Sequence, residues 1–446
     1  MYHWSELSKN YPASSIRKMA KLAAQFDDTL MLTMGEPNFE TPEYIKKTGQ
    51  DAIAANHTHY GPNVGEFTFQ QAVAKKYTDQ TGIPFEPDEV MATFGGTEGI
   101  LHVMMSILNP GDEVIIADPS YPNYLGQIML LGAKVVPVPV YEENSFKMQA
   151  ADIEQVLTDK TRLIILNTPN NPMGSILDPS DMEAIVALAD RHQVAILSDE
   201  VYESLIYDGK KHFSLFQIPG AKENHFVVNS LSKTYAMTGW RIGYVVGNHE
   251  AIDRMAEFRE GVGFCVPPFI QEAAIAAITG PQDDVQYFLE QYDRRRHIIV
   301  DGLNQIPGFK CLGTEGAFYA FPNIKAFGKS SYDFAMEILT ETHVALTPGS
   351  AFGKMGEGYL RIPFAESEEI LQEAVDRIKG AASGLEERIA ELDAEIAQRR
   401  ALRKHLVSHI AWFGEREPQP ASKPGFPRVR ARGSDEAGSS GRSRRK

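Results

Sequence analysis

The run Asn-Ser-Leu-Ser-Lys-Thr-Tyr-Ala-Met-Thr-Gly-Trp-Arg-Ile-Gly, residues 229–243, governs how the rest of the chain is understood. A lysine is the side chain able to form an imine with a carbonyl cofactor. Here Lys233 has two serines just before it, Ser230 and Ser232, and Arg241 eight residues after it. Hydroxyls donate to phosphate oxygens, and a guanidinium presents a planar fork that fits two of them. The pattern points to a lysine tethering a phosphorylated aldehyde.

On either side of this run, short apolar stretches alternate with helical ones. Val114–Ala117, Lys134–Pro137, Leu163–Leu166, Val194–Leu197, Phe226–Val228 and Ile242–Val246 read as strands, with helices such as Asp181–His192 between several of them. Strands apolar on both sides belong to a sheet covered on both faces, so the fold class is α/β with a mostly parallel sheet spanning residues 46–280. After Gly280-Pro281 the pattern changes to long helices, Asp283–Leu303 and Glu366–Ile378, with strands near Ala317–Phe321 and Tyr359–Ile362. This predicts a smaller α+β domain over 281–383, to which an N-terminal arm, 1–45 with a helix near Ser15–Phe26, would add. Over 384–414 Leu385, Ile389, Leu392, Ile396, Leu406 and Ile410 follow three- and four-residue steps, interrupted by Arg399 and Arg403. An added amphipathic helix is expected there, packed on its own subunit or paired with another chain. Residues 415–446 are Pro/Gly/Ser-rich and basic, with eight Lys/Arg against two Asp/Glu from Pro418 onward, and are expected to be disordered.

Composition bounds the possibilities. At 446 residues the chain is too long for one core, and 43% hydrophobic with 23% charged residues is ordinary for a globular protein. A net charge of −15 argues against nucleic acid as the partner of the folded body. No apolar run reaches membrane-spanning length and the opening Met-Tyr-His-Trp-Ser-Glu lacks the pattern of a secretion signal, so a cytoplasmic location and no membrane partner are expected. Cys265 and Cys311 stand in no metal-like or disulfide-like spacing; neither a metal site nor a disulfide framework is expected.

Further motifs sit at the ends of predicted strands. Gly95-Gly96-Thr97-Glu98-Gly99 lies between the strand-like Val90–Phe94 and a helical stretch, where free backbone N–H groups and the positive helix end would face an anion; taken alone the run is at least as often a mere strand-to-helix turn. Asp199 closes an apolar strand, a costly place for a carboxylate without a partner. Asn170-Asn171-Pro172 taken alone reads as a solvent-exposed turn rather than a site. Arg361, in Tyr-Leu-Arg-Ile-Pro-Phe, sits inside a predicted strand.

Taken in order from about residue 15 to residue 380, these motifs resemble the fold-type-I, class I/II pyridoxal-phosphate-dependent aminotransferases. The resemblance implies that pyridoxal 5′-phosphate forms a Schiff base with Lys233. Its phosphate would be held by Gly96, Thr97, Ser230, Ser232 and Arg241, joined by Tyr60 from the neighbouring subunit of a homodimer with shared sites. Tyr121 would stack on the ring, with Tyr124 as structural support. Asn171 and Tyr202 would bind the ring's 3-oxygen, and Asp199 would pair with the ring nitrogen. Arg361 would clamp the substrate α-carboxylate, Gly35 would close over the substrate, and Phe264 would edge the site from the partner chain. The implied activity is ping-pong transfer of an amino group from an L-amino acid to a 2-oxo acid. A carbon–sulfur β-lyase on the same fold remains the alternative. A ligand-sensing regulator is disfavoured, since a DNA-binding domain has no room before Ser15.

Overall fold

The computed structural model describes residues 2–12 and 15–414, the side chains of 382–393 and 408–414 excepted. The expected disordered tail lies outside the described residues. A seven-stranded sheet forms the centre, from β1 (Val90–Thr93), β2 (Glu113–Asp118), β3 (Lys134–Pro139), β4 (Thr161–Asn167), β5 (Ala195–Asp199), β6 (Phe226–Ser230) and β7 (Gly243–Val246). Their spatial order is β1-β7-β6-β5-β4-β2-β3. All neighbouring pairs from β6 to β3 are parallel, while β7 is antiparallel to both β6 and β1, so six strands run one way and β7 the other.

The uninterrupted apolar character of these strands has a direct cause. In β4, Ile164 and Leu166 enter one buried cluster with Met182 and Ile196, whereas Leu163 and Ile165 enter another with Val103, Met104 and Leu197. Successive side chains point to opposite faces, and both faces are covered, by helices that include Gly96–Ile107 and Pro179–His192. The mostly parallel sheet is as expected; the reversal of β7 was not legible. The return from β6 to β7 carries only the four-residue helix Leu231–Thr234 and a single 3-10 turn, Thr238–Trp240, and turns the chain back antiparallel.

A second cluster joins the 22-residue helix Asp283–Asn304 to a small antiparallel sheet in which Leu360–Pro363 lies between Tyr319–Ala320 and Thr347–Pro348. Met19 and Ala23 of the helix Ser15–Ala23, with Leu32, are buried in this cluster beside Phe318, Ala345 and Ile362. The helices expected over 366–378 and 384–414 are one element, Glu368–Gly414. Gly380 lies inside it, where a glycine costs only about 1 kcal/mol relative to alanine and does not force a stop. By internal contacts the chain divides into a unit of residues Met1–Gly384 and a unit from Leu385 on. No described helix is long and apolar enough to cross a membrane. Cys265 and Cys311 are both buried and unbonded.

Gly243 is where sheet and site meet. A Cβ there would stand 2.6 Å from the Asn229 carbonyl oxygen and 2.8–2.9 Å from the backbone of Gly95 and Gly96. All three contacts are backbone, so no side chain can swing aside. Gly243→Ala should therefore cost about 1–3 kcal/mol, read as a lowered thermal midpoint; a variant melting with the wild type would show that the 95–96 loop has room to give.

Candidate active site

The single reversed strand concentrates chemistry at one edge of the sheet. The carboxyl ends of β1, β4, β5 and β6 and the amino end of β7 all open there, and they carry Gly96 and Thr97, Asn167, Asp199, Ser230 and Arg241. Ligands of open α/β sheets bind beyond the strands' carboxyl ends. A cavity of about 340 Å³ lies at this edge, lined by these residues together with Gly35, Tyr121, Asn171, Tyr202, Ser232, Lys233, Tyr319 and Arg361.

One end of the cavity is built for an anion. Gly95, with φ +75°, caps the helix Gly96–Ile107 without any side-chain hydrogen bond, so the first N–H groups of that helix keep their donors. Ser230 Oγ lies 2.9 Å from Ser232 Oγ and 3.2 Å from the Ile242 carbonyl oxygen. Arg241 donates to the carbonyls of Thr238 at 2.8 Å and Phe94 at 3.3 Å, which orients the guanidinium without neutralising it. Among the described residues no carboxylate pairs with it. Uncapped N–H groups, two hydroxyls and a cation converge, as a phosphate monoester requires.

The middle is governed by Asp199. Burial pushes its carboxyl up to about 6, against the hydrogen bonds from the Tyr124 hydroxyl, 2.5 Å from Oδ2, and the Val201 N–H, 3.3 Å from Oδ1. Tyr124 does more than fill space: it holds the carboxylate. Its ring meets Tyr121 edge-on at 5.4 Å, while the Tyr121 hydroxyl accepts from Asn123 at 2.8 Å. The next residue, Glu200, is also fully buried; burial alone would raise its carboxyl, yet His212 at 2.8 Å and the Leu215 N–H at 3.0 Å hold it below the usual range. Glu200 is thus satisfied within the protein. Asp199 keeps capacity for a partner on the cavity side.

Lys233 and Arg361 supply the remaining charge. Burial lowers the Lys233 ammonium to about 8, with Arg361 and Arg241 adding to the effect against the pull of Glu36 and Asp199, and its Nζ donates to the Gly35 carbonyl at 2.6 Å. At pH 7 roughly a tenth is therefore free amine, far more than for an ordinary lysine. Arg361 is 2% exposed, between the rings of Tyr319 and Phe352, each 4.8 Å from its guanidinium carbon. It donates to the Thr33 carbonyl at 2.5 Å and to Asn171 Oδ1 at 3.3 Å, and its Nε is buried without a partner. Among the described residues no carboxylate pairs with it either. A buried guanidinium in that condition fits a ligand carboxylate.

The structure gathers around this cavity every candidate cofactor, catalytic and substrate residue except Tyr60 and Phe264. Lys233 and Gly35 sit within hydrogen-bond reach, as do Asn171 and Arg361. Tyr60 and Phe264 instead pair with each other, ring centroids 4.6 Å apart, at 83% and 42% exposure. Sequence reasoning missed Tyr319, whose hydroxyl is 2.8 Å from that of Tyr202 and would lie 1.9 Å from a Cβ on Gly35. It also missed Asn167, which accepts the Asn171 N–H at 2.8 Å, and Thr33. All three line the cavity; only Asn167, ending an apolar strand as Asp199 does, offered a signal.

The chain matches the family model for aminotransferases of class I and II over residues 27–378. It belongs to this family. The enzyme is 40% identical to an aspartate aminotransferase of Pyrococcus abyssi over 369 residues, 82% of this chain and 95% of that protein. It is equally identical, with the same shares covered, to aromatic-amino-acid aminotransferase 2 of Thermococcus litoralis. A crystal structure of the aspartate aminotransferase from Rhizobium meliloti superposes with a TM-score of 0.83 at 34% identity, covering 86% of this chain and 99% of that one. The aminotransferase therefore moves amino groups between amino acids and 2-oxo acids with pyridoxal 5′-phosphate, and its anion end, buried carboxylate and buried amine suit that cofactor's phosphate, ring nitrogen and aldehyde.

The Tyr124 hydrogen bond stabilises the carboxylate form of Asp199, so its loss raises that carboxyl further above its ordinary value. In Tyr124→Phe the acid limb of kcat/KM should move to higher pH by about one unit, the worth of one hydrogen bond to a charged group. An acid limb that stays in place would mean Tyr124 only packs.

Proposed function

We propose that the cavity residues divide the work of transamination by position. Gly96, Thr97, Ser230, Ser232 and Arg241 hold the cofactor phosphate, Tyr121 lies against the ring, Asp199 faces the ring nitrogen, and Asn171 and Tyr202 face the 3-oxygen. When bound, pyridoxal 5′-phosphate supplies an aldehyde that condenses with amines and an electron-poor ring that stabilises negative charge at the substrate α-carbon. Asp199 keeps that ring's nitrogen protonated, and Tyr124 keeps Asp199 ionised. Lys233 is the tethering amine and, once released, the base that takes the proton at the α-carbon; its lowered basicity suits a group that must both accept and return it. Gly35, whose carbonyl holds Lys233 Nζ, closes over the substrate.

Arg361 carries the substrate assignment. A cation 2% exposed, with a buried Nε lacking a partner and no carboxylate beside it, is costly unless a ligand completes it. A bidentate α-carboxylate does so and aims the α-hydrogen at Lys233. The exposed ring pair of Tyr60 and Phe264, with Phe67 at 62% and Val262 at 47% exposure, supports a homodimer in which these side chains reach the partner's site. The identity of the side chain accepted is not assigned.

Arg361→Lys should lower kcat/KM for amino-acid donors by about 10–100-fold, chiefly through KM, while cofactor absorbance per subunit is unchanged. Asp199→Asn should instead lower the rate of the first half-reaction by about 100–1000-fold at saturating donor, the usual worth of a preorganised charge in a transition state. Stopped-flow spectra of the two half-reactions separate the cases. Equal losses in KM and rate for both variants would contradict the division of labour.

A further inference from the structure

The family match ends at residue 378, and the Pyrococcus abyssi relative aligns over 95% of its own length while using 82% of this chain. The segment from Leu385 onward is therefore an addition to the shared fold. Within the helix Glu368–Gly414, every side chain from 394 to 407 is exposed, including Ile396, Leu402, Leu406 and Val407 at 45–61%. Helices of this kind draw most of their stability from burying an apolar face, and over residues 394–407 that face is open.

The residues of the extension indicate its partner. Leu385, Ile389, Leu392, Ile396, Arg399, Arg403, Leu406 and Ile410 follow unbroken alternating steps of four and three, a heptad seam with arginine at two central positions. The charge is bipolar along the same segment. Residues 385–395 hold five Asp/Glu and one Arg, whereas 396–410 hold four Lys/Arg and no acid. We propose that the extension pairs with the same segment of a second copy of this chain, antiparallel, in a register that sets Ile396 against Arg399, Leu392 against Arg403, and Ile389 against Leu406.

Orientation is set by the arginines. A parallel pair would stack Arg399 on Arg399 and Arg403 on Arg403 in consecutive layers of the seam, two like-charge contacts in the least solvated place. The antiparallel pair sets each arginine against an aliphatic side chain, with its stem covering that residue and its charged end toward the acidic half of the other copy. Arg399 is already held at the seam's edge by Glu395 at 2.7 Å. The same arrangement lays Asp393 beside Arg400 and matches acidic half to basic half throughout. Flanking positions offer opposite-charge pairs in either orientation, so the two seam arginines decide. About 39 Å of helix, from 385 to 410 at 1.5 Å per residue, suffices for such a seam.

Two full-length variants, Ile389→Cys and Leu406→Cys, carry different affinity tags and are purified alone or after co-expression, then mildly oxidised. The native cysteines are buried. The expected result is a disulfide-linked pair containing both tags from the co-expressed sample and no linked pair from either variant alone. Linkage within either single variant would establish a parallel pair, and absence of linkage in the co-expressed sample would place the helix elsewhere; both overturn the proposal. As a second readout, Leu392→Asp/Ile396→Asp added to both full-length cysteine variants should lower the yield of the mixed-tag linked pair by about tenfold or more while transamination is unchanged. Undiminished linkage would likewise overturn it.

Discussion

A guanidinium buried to 2% exposure with no carboxylate partner among the described residues is the constraint around which this site is organised. Burying an unpaired charge costs several kcal/mol, and a fold retains such a feature only when surrounding structure enforces it. Here the enforcement is visible. Two rings sandwich Arg361, the Thr33 carbonyl and Asn171 fix its fork, and the strand Leu360–Pro363 holds it from both neighbours. Asp199 is the complementary case, a buried carboxylate pushed up to about 6 and restrained by Tyr124. Lys233, lowered to about 8, lines the same cavity. Each is left short of a partner, which in the proposed assignment cofactor and substrate together supply.

Two other buried charges are closed within the protein. Glu200 is satisfied by His212, Ser198 and the Leu215 N–H; Arg296 binds Asp208 through two contacts of 2.7 Å. Reversal of β7 contributes as well, since it brings Arg241 to the edge where the other strands end.

Much of this was legible in the sequence, for reasons that differ by residue. Apolar runs located the strands because both faces of the sheet are covered, and Lys233, Asp199 and Arg361 stood out because charged or reactive groups in or beside apolar strands need a partner. Tyr124 was placed near the site as support; its bond to Asp199 joins residues 75 apart in sequence, on the helix Pro122–Leu130 and at the end of β5, which no local pattern reports. Tyr319 and Thr33 were missed because the partners they hold lie far away in sequence, Tyr202 being 117 residues from Tyr319 and Arg361 328 residues from Thr33. The continuous helix Glu368–Gly414 was divided in two, since helix boundaries depend on tertiary support more than on a single glycine.

Everything assigned to this cavity depends on Lys233 being the amine that meets the cofactor aldehyde. Borohydride reduction of the purified holoenzyme, followed by peptide mass mapping, puts that to the test. One reduced phosphopyridoxyl adduct per chain is expected, on the peptide containing Lys233, with loss of the visible absorption band. An adduct on any other lysine, or an unmodified Lys233 peptide after complete bleaching, would contradict it.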